Sequence, residues 1–138
     1  MPMTRMVPWL HPKATELDMP IGVLGPFVHM DDDRLMIVGS KGAQVSADDG
    51  KTWSTPKSLY TGSAPGLPGD GLLIRTRKGV IVLMYGDSST FFWSWDDDTG
   101  KPASNVRRNV WSIRSLDGGE TWTDRQMVME GYCGALIT

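Results

Sequence analysis

The chain has 138 residues, 40% of them hydrophobic, which suffices for one ordinary packed domain. Its 14 basic and 16 acidic residues leave a formal net charge of −2, so nothing in the overall charge predicts nucleic-acid binding, and no nucleic-acid partner is expected. One cysteine, Cys133, excludes an internal disulfide and leaves the redox compartment open, and no apolar run reaches membrane-span or signal-peptide length, so neither a membrane partner nor an export signal is expected.

In chain order, residues 1–20 read as an irregular lead-in, because Pro2, Pro8, Pro12 and Pro20 suit extended structure rather than helix. Short apolar runs separated by turn residues follow, and none has helical periodicity, so the chain reads as all-β. A first unit, 21–61, is expected to carry strands near 22–29, 34–39, 43–46 and 53–59. Its turns are Asp31-Asp32-Asp33, Ser40-Lys41-Gly42 and the octad at 46–53. A second unit, 62–130, is expected to carry strands near 72–76, 80–85, 109–115 and 122–129, with a second octad at 115–122. Residues 131–138 read as the first strand of a further unit.

The octads, Ser46-Ala-Asp-Asp-Gly-Lys-Thr-Trp53 and Ser115-Leu-Asp-Gly-Gly-Glu-Thr-Trp122, share one pattern, S-x-D-x-G-x-T-W. Asp48 and Asp117 are expected to accept hydrogen bonds from backbone N–H groups one to three residues on. Gly50 and Gly119 supply positive φ, and Trp53 and Trp122 bury a ring where the next strand begins. This is a structural role, and neither octad offers the alternating oxygen ligands and distant Glu of a calcium loop. Asp48, Asp49 and Asp117 are therefore not site candidates.

The repeated octad resembles the Asp-box, or bacterial neuraminidase repeat, of sialidase-like β-propellers. The resemblance implies a sialidase-type propeller segment of about two four-stranded antiparallel blades plus the first strand of a third. The octads begin at Ser46 and Ser115, a spacing wider than the roughly 40–50 residues of common propeller repeats. An insertion at 88–108 accounts for the excess. A propeller closes with about 4–8 blades, and two blades leave their outer faces bare. The chain is therefore expected either to be part of a longer protein or to assemble as a homo-oligomer, three copies making a ring of six blades.

Up-and-down topology puts the octads on one face with the first-to-second strand turns. The opposite face then gathers residues 62–71, the insertion 88–108 and the link 130–132; in the resembling family it is the active face. The insertion combines Trp93, Trp95, Asp96, Asp97, Asp98, Arg107 and Arg108. Aromatic faces stack on sugar rings, carboxylates bond hydroxyls or transfer protons, and Arg clamps a carboxylate bidentately. Trp93, Trp95, Asp96, Arg107 and Arg108, with Asp70 of the preceding link, are accordingly the candidate substrate-binding residues, and a carbohydrate the expected ligand. The alternative is that Trp93 and Trp95 extend a strand and pack onto the blade while the acidic run is merely solvated. A calcium turn at Asp96-Asp97-Asp98 is disfavoured because consecutive side chains diverge, and His11 and His29 are isolated, so no metal and no cofactor are expected.

The stretch from Leu73 to Asp87, two apolar strands around a Lys-Gly turn ending in an acid, resembles the first catalytic blade of sialidases. By that resemblance Asp87 stands where the family can carry an active-face acid, the candidate acid/base of a retaining hydrolysis with a Tyr nucleophile. The family's Arg-Ile-Pro tripeptide, however, aligns with Gly69, Asp70 and Gly71, and its other two clamp arginines and Tyr–Glu pair belong to later blades. Tyr85 and Tyr132 read as packing residues, Arg75 and Arg77 as solvated, and Met127 and Met129 as the inner face of an edge strand. The resemblance implies a segment of an exo-glycosidase inactive by itself; the alternative is a non-catalytic propeller that binds glycans or proteins.

Overall fold

The structure, a computed structural model, describes residues 11–14, 26–39, 41–59 and 71–134. The described residues are all-β, with a single 3-10 turn at Ser88–Thr90. Strands β1 (Phe27–His29), β2 (Leu35–Gly39) and β3 (Gly42–Ser46) form an antiparallel sheet in sequence order. A second sheet has the order β4 (Gly71–Arg75), β5 (Ile81–Gly86), β8 (Val110–Ser115) and β9 (Gln126–Met129), all antiparallel. Between β5 and β8 the insertion raises a small hairpin of β6 (Trp95–Asp96) and β7 (Lys101–Pro102).

Alternation along the strands decides which face is covered. In β5, Ile81, Leu83 and Tyr85 are fully buried while Val82 and Met84 are only half-buried, as the period of two requires when one face meets a second layer. Leu73, Leu83 and Ile113 lie side by side across β4, β5 and β8. They join Val28, Met36, Val38 and Ala43 of the first sheet in one core. Polar contacts tie the sheets at their rim: Arg75 pairs with Asp31, and Lys57 Nζ lies 2.6 Å from Glu120 of the second octad. Arg75 is thus an intersheet ion-pair partner rather than a solvated turn residue.

The first sheet has three strands, not the four expected. Residues 53–59 follow the edge of β3 without forming a ladder: Ala43 and Lys57 exchange two backbone bonds of 2.8 and 2.7 Å, and Ser54 N donates to Val45 O at 2.9 Å. The remaining Val45 N–H is taken at 3.0 Å by the Ser54 hydroxyl, and Pro56 has no N–H to offer. The second sheet repeats the device. Thr123 N donates to Arg114 O at 2.8 Å while its hydroxyl accepts from Arg114 N at 3.1 Å, so β9 starts at Gln126 rather than at 122. Met127 and Met129 of this edge strand are 44% and 37% exposed, because no described element covers them.

Candidate functional site

The two ends of the second sheet differ in chemistry. At one end sit the octads with the β1–β2 and β4–β5 turns, where Asp31, Asp32, Arg34, Arg75, Lys78 and Asp117 line a common cleft. Each octad is internally saturated. The Ser46 hydroxyl donates to Asp48 Oδ1 at 2.8 Å and accepts from Gly50 N at 2.8 Å. Asp48 in turn accepts from Thr52 N at 2.8 Å and from the Thr52 hydroxyl at 2.6 Å, and Trp53 Nε1 donates to Gly50 O at 2.9 Å. In the second octad Ser115, Asp117, Gly119 and Thr121 repeat these bonds, Trp122 packs on the core, and Gly50 and Gly119 have φ of 86° and 93°.

The backbone donors to the Asp carboxylates lie four residues on, not within three. The Thr52 hydroxyl and N–H, then Ser46, pull the Asp48 pKa from 3.8 to about 2, and Thr121 followed by Ser115 does the same for Asp117. These carboxylates are ionised staples whose two oxygens both accept bonds within the turn. Among the described residues no group of three or more His, Cys, Asp or Glu is placed to hold a metal.

At the opposite end the insertion continues the β5–β8 hairpin as an arm. Asp87 N donates to Asn109 O at 2.8 Å, and Phe92 and Arg107 exchange backbone bonds of 2.8 and 2.9 Å. Ala103 N then donates to Ser94 O at 3.0 Å before the β6–β7 hairpin closes. Asp96 makes that closure: its Oδ1 accepts from Asp98 N at 3.0 Å and Thr99 N at 3.1 Å, and the Thr99 contacts hold its pKa below the ordinary value. Asp97 and Asp98 are exposed on the turn.

The link at 130–134 crosses beside the root of this arm. Arg108 N donates to Gly131 O at 2.6 Å, Gly131 N donates to Asn109 Oδ1 at 3.0 Å, and Arg108 pairs in parallel with Tyr132. Tyr132 and Trp93 then meet with ring centroids 5.1 Å apart and planes tilted by 54°. Arg107 Nη1 lies 3.4 Å from Glu130, and the two residues line a shallow groove with Ser104, Val106 and Gly131. Arg108 Nη1 donates to Gly134 O at 3.1 Å. Trp93 and Trp95 keep 44% and 53% of their surface exposed, so they do not pack inward onto the sheet.

Asp87 stands at the root of the arm, only 2% exposed. Its Oδ1 accepts from Ser89 N at 2.9 Å and from the Ser89 hydroxyl at 2.5 Å, capping the 3-10 turn. Its Oδ2 lies 3.6 Å from Arg125 Nη1, and the Arg125 guanidinium is 4.1 Å from the centroid of Trp111. In this arrangement the carboxylate anchors the arm.

Trp93, Arg107 and Arg108 are thus brought together at the root, with Trp95 and Asp96 further along the arm; Asp70 lies outside the described residues. Sequence reasoning missed Arg125 and gave Tyr132 and Glu130 no ligand-facing part; the only signal for the latter two was their position in a link on that face. No known protein family matches the chain, and no curated protein matches it either.

Proposed function

We propose that the chain is a segment of a sialidase-like β-propeller from a carbohydrate-active protein, and that it contacts glycan through the arm and the 130–134 link. The observation carrying this reading is the gathering of exposed Trp93 and Tyr132 beside the Arg107–Glu130 pair, with exposed Trp95 further along the arm, at the end away from the octads. Sugar sites combine aromatic platforms with a few polar groups that fix orientation. The duplicated octad, with its matching bonds, supports the propeller assignment, within a longer chain or an assembly of copies.

By itself the segment is expected to bind rather than hydrolyse. Gly69 stands where the resembling family carries an arginine, and the Asp87 carboxylate is buried against Ser89 and Arg125. A second reading, a protein-binding propeller, is favoured by the apolar edge strand β9, where Met127, Val128 and Met129 are all exposed. Glycan-array binding by the purified chain, compared with Trp93→Ala and Trp95→Ala, tests the first reading. Retention of glycans that weakens in both variants agrees with it; binding indifferent to both substitutions refutes the arm as the contact surface.

A further inference from the structure

We infer that the glycan taken at the arm is a neutral pyranose rather than a carboxylated sugar, an assignment that rests on the glycan-binding reading above. Recognition of a carboxylate calls for an arginine whose fork is open to it, because the bidentate pair supplies both affinity and geometry. Each described cation at this end stands opposite or beside a competing acceptor. Lys101 lies directly across the β6–β7 pair from Asp96, and Arg107 is 3.4 Å from Glu130. Arg125 lies over Trp111 and reaches the buried Asp87. Arg108 bonds the Gly134 carbonyl, and its guanidinium packs so closely on Gly86 that a Cβ there would fall 2.8 Å from Nε.

The local balance of charge points the same way. The Arg107–Glu130 pair is exposed and weak enough to open, yet opening it leaves Glu130 bare beside any incoming anion. Asp96, Asp97, Asp98 and Glu130 outnumber Lys101, Arg107 and Arg108 by one, so the arm and link together carry a slight negative excess that disfavours a further carboxylate. What the arm does offer is aromatic surface: Phe91 and Trp95 are more than half exposed, and Trp93 and Tyr132 more than two-fifths. Such surface suits the C–H face of an uncharged ring, with the Glu130 carboxylate left to accept hydroxyl hydrogens.

The test uses ligand-observed saturation-transfer NMR on the full chain. Methyl glycosides of galactose, glucose and mannose are compared with the matching uronides, which differ only in a carboxylate at C6, and with the methyl glycoside of N-acetylneuraminic acid. At least one neutral glycoside is expected to bind about tenfold more tightly than its uronide, a difference of about 1.4 kcal/mol. Glu130→Gln, which frees Arg107 and removes one negative charge, is expected to narrow that gap. Tighter binding of a uronide or of the neuraminic acid glycoside overturns the neutral-sugar assignment while leaving glycan binding intact. Absence of binding by every sugar, neutral and charged, overturns the glycan reading itself and this assignment with it.

Discussion

Replacing Ser115 by Ala tests the octad as a staple at its most buried atom. Ser115 is 0% exposed, and its hydroxyl accepts from Gly119 N at 2.7 Å while donating to Asp117 at 2.8 Å. Removing it leaves the Gly119 N–H buried with no acceptor. Water has little access to take over, because the bond from Gly119 N to Ser115 is itself buried. A stranded buried donor costs about 1–3 kcal/mol, and with water excluded the expected loss is about 2 kcal/mol. Ser46→Ala, which strands Gly50 N in the same way, should behave alike. Ser112→Ala is the control: that half-buried residue points away from the core, and its removal should cost no more than about 0.5 kcal/mol. Urea unfolding followed by tryptophan fluorescence reads all three, with unchanged slope and a lower midpoint expected for the octad variants. If Ser115→Ala falls within about 0.5 kcal/mol of Ser112→Ala, the staple argument is wrong.

Acid should weaken the same turns. Asp48 and Asp117 have folded pKa values of about 2 against an ordinary 3.8, so their contribution is fully present above pH 3.8 and is lost as pH falls from there through about 2. Urea midpoints measured across that window should drop, and Thr121→Val, which deletes the first donor to Asp117, should flatten part of the drop; an unchanged profile in the variant would count against the assignment. At the other end, Arg125→Ala removes the cation facing buried Asp87. The expected loss of stability is about 1–2 kcal/mol, below the ~3–5 kcal/mol of a fully buried pair because Arg125 is 39% exposed and the groups are 3.6 Å apart. Trp111 emission should shift as the guanidinium leaves its ring, and wild-type emission together with wild-type stability would show the contact to be idle.

The contrast between these two ends explains what the sequence could and could not reveal. The octads were legible because their interactions are local: Ser115, Asp117, Gly119 and Thr121 satisfy one another within seven residues, so residue type and spacing together contain the answer. Even there the backbone donor to each Asp lies four residues on, and the hydroxyl of Ser54 or Thr123 replaces a strand bond that hydrophobic pattern alone predicts. The strands of the second sheet were legible for the same reason, since alternation and turn residues act over a few positions.

The arm was legible only in composition. Its aromatic and charged residues could be collected from sequence, but their roles depend on partners brought in by topology: Arg107 on Glu130, Trp93 on Tyr132, and Asp87 on Arg125. An arginine read alone is a carboxylate clamp, and the same arginine beside a glutamate is half of a neutral pair. Asp87 read alone is a proton donor at the end of a strand, whereas buried between Ser89 and Arg125 it is an anchor. The candidate surface therefore follows from residues that the chain keeps apart in sequence, and the preference for an uncharged ligand proposed for it rests on those pairings rather than on any one side chain.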